Sequence, residues 1–266
     1  MADFTAKDVQ ALRQATGAGM MDAKKALQEA DGDAEAAKKI LREKGLAKAD
    51  TRDDRDNSEG AIATAASDDA AVLVELKCET DFVAKSDAFI ALTQQLADAF
   101  LAGGEEGLDG LKDDVDTLKV TLKENIQVGR SEKIDVQAGQ VVDTYLHRQE
   151  GRGVNGVIVL LTGGNPEVAH DVAVHIAFTK PEYLTRDDVP AEVVEEERQT
   201  LTKISQAEGK PEAALPKIVE DRLNGWYKER VLLDQPFVRD EKQTIAQLVA
   251  GAGGEIASFA QIYLGV

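Results

Sequence analysis

The sequence predicts an α+β fold, and three observations carry that prediction. A strand–loop–helix pattern occurs twice, as "AVLVELKCE" followed by "DAFIALTQQLADAF" and as "NGVIVLLTGG" followed by "NPEVAHDVAVHIAF". Some 45 residues ahead of these units read as three short helices. After Pro190 the texture changes to two long, charged helical stretches. Two similar halves, each an antiparallel sheet with helices on one side, account for the repeat.

At the N-terminus, Thr5 with Asp8 three residues on is a near capping box, and Val9, Leu12 and Ala15 fall on one helical stripe. "TGAG" at Thr16–Gly19 breaks this helix. A second helix in "MMDAKKALQEA" is expected to turn Met21, Ala26, Leu27 and Ala30 inward. Asp33 can cap a third, with Glu35 in its first turn and Arg42 and Lys44 in its last, as the helix dipole prefers; Gly45 is expected to stop it. Three helices of this size leave little room for a pocket, so the unit reads as a binding head. "KADTRDDRDNSEG" has no large apolar residue and reads as a linker.

Beyond the linker, Phe89, Leu92, Leu96 and Phe100 share one helical face, as do Val168, Val172, His175 and Ile176. Further strands are expected at "GAIATAA", "KIDVQAG" and "QVVDTYLHRQ", and a helix at "VDTLKVTLKENI". The stretches on either side of Glu208-Gly209-Lys210-Pro211 form an antiparallel hairpin, in which Val194, Leu201 and Ile204 could meet Ile218, Leu223 and Trp226. "QTIAQLVAGAGG" and "EIASFAQIYLGV" close the chain as helix and strand. The expected organisation is a head over residues 1–47, a linker over 48–60, a first core half over 61–150, a second begun over 151–189, a hairpin over 190–233, and a closing helix and strand over 234–266.

Composition narrows the function. The formal charge of −18 argues against binding nucleic acid through phosphate neutralisation. The acid is unevenly spread: residues 1–56 hold 11 Lys/Arg against 12 Asp/Glu, the remainder 20 against 37. That surplus serves solubility or steering toward a basic partner. The longest clean apolar run, Val157–Leu161, is strand-sized, so no membrane association is expected. "MADFTAKDVQ" lacks an export signal, and one cysteine, Cys78, suits a reducing compartment; residence in the cytoplasm is the expectation.

Catalytic chemistry is not evident. No phosphate-binding glycine loop, G-x-S-x-G or H-E-x-x-H occurs, and one cysteine with three histidines gives no zinc set. The expectation is a protein that is not an enzyme and takes no metal, cofactor or small-molecule substrate. What remains are surface features. Met20 and Met21 read as core, or as one core residue and one soft contact for a partner. His147 reads as an edge residue or a site. Phe82, in a connection that should be small and polar, either folds back over the strand or is held out for something else to bury.

Two of these segments carry a resemblance. "LRQATGAGMMDAKKAL" at Leu12–Leu27 and "ETDFVAK" at Glu79–Lys85 resemble the signature segments of the bacterial translation elongation factor Ts family, and the order of parts agrees along nearly the whole chain. "EGKPEAALPKIVEDRLNG" and "DDVPAEVVE" look actinobacterial. The chain departs from the family's pattern at Ala23, where many relatives have cysteine, and at Arg130, which stands without a second arginine.

The resemblance implies a guanine-nucleotide exchange factor for elongation factor Tu, the GTPase that carries aminoacyl-tRNA, acting as a 1:1 heterodimer or a dimer of heterodimers. It implies a head similar to ubiquitin-associated domains, docking through Arg13, Met20, Met21 and Lys24. It implies that Thr80, Asp81, Phe82 and Val83 reach the partner's nucleotide site and disturb its magnesium, with Tyr145, Leu146 and His147 contacting the partner nearby. On this reading Asp81 shapes the loop or binds partner backbone. The rival readings are an adaptor whose head binds another client, and a hydrolase using core carboxylates; an adaptor needs no exposed Asp-Phe pair, and a hydrolase needs a carboxylate of raised pKa in a closed pocket.

Overall fold

The computed structural model describes residues 4–49 and 54–265. Three helices come first: α1 (Ala6–Thr16), α2 (Met20–Glu29) and α3 (Ala34–Ala49). Thr5 and Asp8 form the full reciprocal capping box on α1, and Gly17 ends that helix in the left-handed conformation. Asp33 Oδ1 accepts from the Glu35 and Ala36 amides at distances of 2.8 and 3.0 Å, capping α3. Val9, Leu12, Ala23, Ala26, Leu27, Ala37 and Leu41 form the head's small core.

Two expectations fail here. Met21 is 63% exposed and Met20 48% exposed. The inward stripe of α2 falls on Ala23, Ala26 and Leu27; Met21 lies on the opposite side of the helix, and Met20, beside that stripe at the helix's first position, has no further turn to cover it. Gly45 does not stop α3, which continues to Ala49. Its role is close approach: a Cβ there would stand 2.7 Å from Val120 Cγ1, on the helix α6 (Lys112–Leu122). The helix therefore takes up the start of the expected linker, and the first strand begins at Glu59. The linker's Asp50–Asp53 lie outside the described residues.

The core is a duplication in its topology. The first half runs β1 (Glu59–Ala66), β2 (Ala70–Cys78), a one-turn helix α4 (Asp81–Ala84), α5 (Asp87–Gly110, bent at Gly104), α6 and β3 (Gln127–Asp135). The second runs β4 (Gln140–Gln149), β5 (Arg152–Gly163), α7 (Pro166–Thr179) and, much later, β8 (Gly254–Tyr263). In each half a hairpin is followed by a helix, and a third strand returns to pair antiparallel with the hairpin's second strand. The pairing groups Gln140–Gln149 with the second half, whereas the sequence reading placed it in the first.

The halves join where the edge strand β1 meets the start of β5, at Ile62↔Gly153, and their sheets then fold back to back. Val72, Val74 and Leu76 of β2 face α5, whose Phe89, Leu92, Leu96 and Phe100 are all buried. Val157, Val159 and Leu161 of β5 face α7. The alternate residues Ile62, Ala71, Leu73, Ile158 and Ile262 meet in a cluster shared between the sheets, with Ile134, Val142 and Leu146 against it. At the crossing, a Cβ on Gly153 would stand 2.2 Å from the Ile62 carbonyl oxygen, so β1 and β5 close up only around glycine. Across the same interface, Arg130 of β3 makes a two-pronged contact with buried Glu75 at 3.0 and 2.8 Å and donates to the Tyr263 carbonyl of β8 at 2.7 Å. Burial pushes the Glu75 carboxyl up, but the Arg130 hydrogen bonds outweigh it and hold it below its usual range.

Between α7 and β8 the chain inserts a helical hairpin, α8 (Ala191–Ala207) and α9 (Leu215–Arg230), then a small ribbon, β6 (Pro236–Phe237) and β7 (Asp240–Thr244), which the sequence reading did not foresee, and α10 (Ile245–Gly251). The hairpin's cluster is Val189, Leu223, Tyr227 and Val231 with Val194, Leu201 and Trp226 against it. Ile204 is 44% exposed and so lies outside the seam expected to hold it. Among the described residues, no helix is long and apolar enough to cross a membrane.

Buried polar bonds dock this insertion on the core. His175 is fully buried on α7, and its Nδ1 accepts from the Val238 amide at 3.3 Å. The proton therefore sits on Nε2, which donates to Gln235 Oε1 at 2.9 Å, while Gln235 Nε2 donates to the Glu229 carbonyl at 3.0 Å. Burial lowers the His175 pKa below its ordinary 6.5, the Gln235 bond offsetting this in part. The unfolded chain thus takes up the proton first, and the stabilisation is complete above about pH 6.5 and lost as pH falls toward the lowered value. The thermal midpoint is expected to drop between pH 7 and pH 5 by calorimetry, with a shallower slope in a His175→Gln variant.

Candidate functional site

At the end of β2 the chain turns sharply. Thr80 is extended (φ −124°, ψ 150°) and acts as N-cap, its hydroxyl accepting from the Val83 amide at 3.3 Å. The segment expected to be a loop up to Ser86 is therefore a helical turn of its own, α4, followed at once by α5. Ala84 is buried, and Val83 packs partly against the first core half. Asp81 accepts from Lys85 Nζ at 2.6 Å, an (i, i+4) pair, and that hydrogen bond holds its carboxyl below the usual range. Phe82, between these anchored neighbours, is 83% exposed.

Lys85 links this turn to the second half of the core, because it also pairs with Glu150 in the β4–β5 turn. Beside it, Arg152 donates to the Gly60 carbonyl at 2.7 Å and to Glu59 at 2.9 Å, tying that turn to β1. The structure thereby gathers the end of β2, the end of β4 and the start of β5 at one edge of the molecule. His147, three residues before Glu150, is exposed there, at a register shift opposite Asn155. Tyr145 is half-buried against the second core and meets His170 edge-on at 6.1 Å. His170 Nδ1 lies 3.1 Å from Asp143, whose carboxyl burial pushes up and His170 draws partly back. Leu146 points the other way, into the cluster between the sheets.

The head residues singled out above stand apart from this edge. Arg13 and Lys24 are exposed, as are Met20 and Met21, so the outer surface of α1 and α2 carries two cations and two soft apolar side chains. Cys78, beneath the turn, is buried; burial pushes its thiol to about 12, and its Sγ donates to the Thr80 carbonyl at 3.3 Å. It is a packing residue and not a nucleophile.

Three features of the edge escaped the sequence reading. Lys85 was legible in principle from its spacing to Asp81. Phe178 at the end of α7 is 78% exposed, beside the contact of Asn155 Nδ2 with the Ala177 carbonyl at 2.8 Å; its place in a helical run hid it. Glu124, just after α6, reaches back to the Thr80 turn, and no local pattern could have shown that.

A family model described as elongation factor TS matches residues 79–266. Proteins named Elongation factor Ts match over their full length and the full length of this chain: one from Micrococcus luteus at 46% identity, one from Renibacterium salmoninarum at 45%, and one from Clavibacter michiganensis subsp. michiganensis at 47%.

Exposure at Phe82 yields a stability test. A side chain this open contributes little to the fold, so Phe82→Ala should leave the urea midpoint within about 0.5 kcal/mol of the parent. Buried Phe89→Ala should cost about 3–5 kcal/mol in the same titration.

Proposed function

This chain belongs to the elongation factor Ts family, and on that premise we propose that it promotes guanine-nucleotide release from elongation factor Tu. The observation that carries the mechanism is Phe82, 83% exposed on a turn whose neighbours on both sides are anchored. An adaptor would have no use for that arrangement. Phe82 enters between elements of the GTPase that hold its magnesium. Because that ion demands near-ideal octahedral geometry, a small shift loosens it. The phosphates, gripped by backbone N–H groups and the ion, then lose much of their hold.

Asp81 acts on this turn from inside: its pair with Lys85 shapes the helical turn that presents Phe82. Thr80 caps that turn, and Val83 anchors it to the core. Arg13, Met20, Met21 and Lys24 dock the head on the GTPase, and Tyr145 and His147 form the second contact near its phosphates, in a 1:1 heterodimer or a dimer of heterodimers.

Magnitudes divide the work. A thousandfold acceleration means lowering a barrier by about 4 kcal/mol. Burying one Phe supplies about 1.5–3 kcal/mol. The wedge is therefore insufficient by itself, and the head and the β4 edge supply the rest. The coupling is reciprocal, so nucleotide weakens binding of this protein by the factor by which this protein weakens nucleotide binding.

The test is release of a fluorescent GDP from elongation factor Tu across a titration of this protein. The parent should accelerate release strongly, and Phe82→Ala should lose at least about tenfold of the maximal rate, equivalent to about 1.4 kcal/mol. A Met20→Ala/Met21→Ala variant should instead raise the half-saturating concentration. Equal maximal rates for parent and Phe82→Ala would move the mechanism away from the wedge, and no acceleration by the parent would refute the function.

A further inference from the structure

We propose that Glu124 is the positioning residue for the Phe82 turn: its carboxylate holds the entry to that turn in the geometry that presents the aromatic ring. The proposal rests on the exchange-factor reading above. Glu124 Oε2 accepts from the Glu79 amide at 3.0 Å and the Thr80 amide at 3.1 Å, and its Oε1 accepts from the Thr80 hydroxyl at 2.5 Å. That same hydroxyl accepts from the Val83 amide inside α4. The clasp is returned, since Glu79 Oε1 accepts from the Asn125 amide at 2.7 Å. Asn125 is itself buried, with its Nδ2 donating to the Arg55 carbonyl at 2.8 Å.

These bonds matter because the turn has little else to define it. A four-residue helix is far below the length at which helical structure supports itself. Phe82, being exposed, has no core contact to orient it, so its direction follows from the backbone at Thr80 and Asp81. Lys85 and the buried Ala84 secure the far side of the turn. On the near side, two backbone donors and one hydroxyl converge on the single carboxylate of Glu124, and charge-assisted bonds of this kind are about twice as strong as neutral ones. Glu124 is placed for this by Lys123, which ends α6 in the left-handed conformation (φ 62°), so the chain turns directly from the helix to the β2 end.

Two measurements test this. The first needs no partner: amide exchange in Glu124→Ala should be at least about tenfold faster at Glu79 and Thr80 than in the parent, because bonds to a charged acceptor are lost. Glu124→Gln keeps the shape and one acceptor oxygen, and should restore much of the protection while keeping the fold. Unchanged exchange in Glu124→Ala would overturn the clamp outright.

The second measurement uses the GDP-release titration. Glu124→Ala should lower the maximal rate about five- to tenfold, in step with loss of the Phe82 contribution, and leave the half-saturating concentration within about twofold. Glu124→Gln should fall between. In a Phe82→Ala background, Glu124→Ala should cost less than about twofold more, since a wedge already removed cannot be misplaced. An equal cost in both backgrounds, or a loss seen only in the half-saturating concentration, would overturn the positioning role. If the parent fails to accelerate release while the amides still respond, the exchange reading falls and takes the positioning role with it, and the clamp alone stands.

Discussion

A three-stranded sheet with helices on one face has a second face that must also leave water, and the architecture of this molecule follows from that constraint. β2 is buried at every position but Lys77, and β5 throughout Asn155–Leu161, so both faces of each central strand are covered and neither half can exist with its back exposed. Folding the halves back to back buries Ile62, Leu73, Ile158 and Ile262 in one cluster, each side chain contributing about 1.5–3 kcal/mol. The halves are therefore one unit. Because they join at Ile62↔Gly153, the end of β2, the end of β4 and the start of β5 are carried to the same edge. Arg152 on Gly60 and Glu59, and Lys85 between Asp81 and Glu150, then lock that edge.

Where a local period sets the structure, the sequence was legible. The stripe Phe89, Leu92, Leu96 and Phe100 is buried as its spacing requires, and the Thr5–Asp8 box and the Asp33 cap form as their chemistry requires. Where a distant neighbour decides, it was not. Gly45 looks like a helix stop because glycine usually is one, yet its reason is Val120, 75 positions away in the chain. The allegiance of β4 was hidden for the same reason, since a strand's pattern says that one face is buried and not which strand lies beside it.

The candidate site divides along the same line. Residue chemistry left Phe82 open between core and surface, and the methionines open between core and contact. Only the family likeness singled them out, and their exposures are facts of the folded chain. Glu124 lay beyond both kinds of reading. Its bonds to Glu79 and Thr80 span 45 and 44 positions, and an acid following a helix is indistinguishable in sequence from a solvated one.

An exposed aromatic on a tightly held turn has an energetic logic of its own. Burial against a partner yields the same transfer energy whether the turn is rigid or loose, but a loose turn surrenders part of it to ordering. Each immobilised side chain costs about 0.5–1.5 kcal/mol, a large share of what one phenylalanine can supply. Anchoring the turn to its own core moves that cost from association to folding, where the buried cluster between the sheets carries it. For the proposed exchange, reciprocity sets the upper limit, because a wedge that gripped its partner too well would resist the returning nucleotide. On the mechanism proposed above, a single rigid aromatic aided by a separate head meets both conditions: enough energy to open a site, and not enough to hold it open.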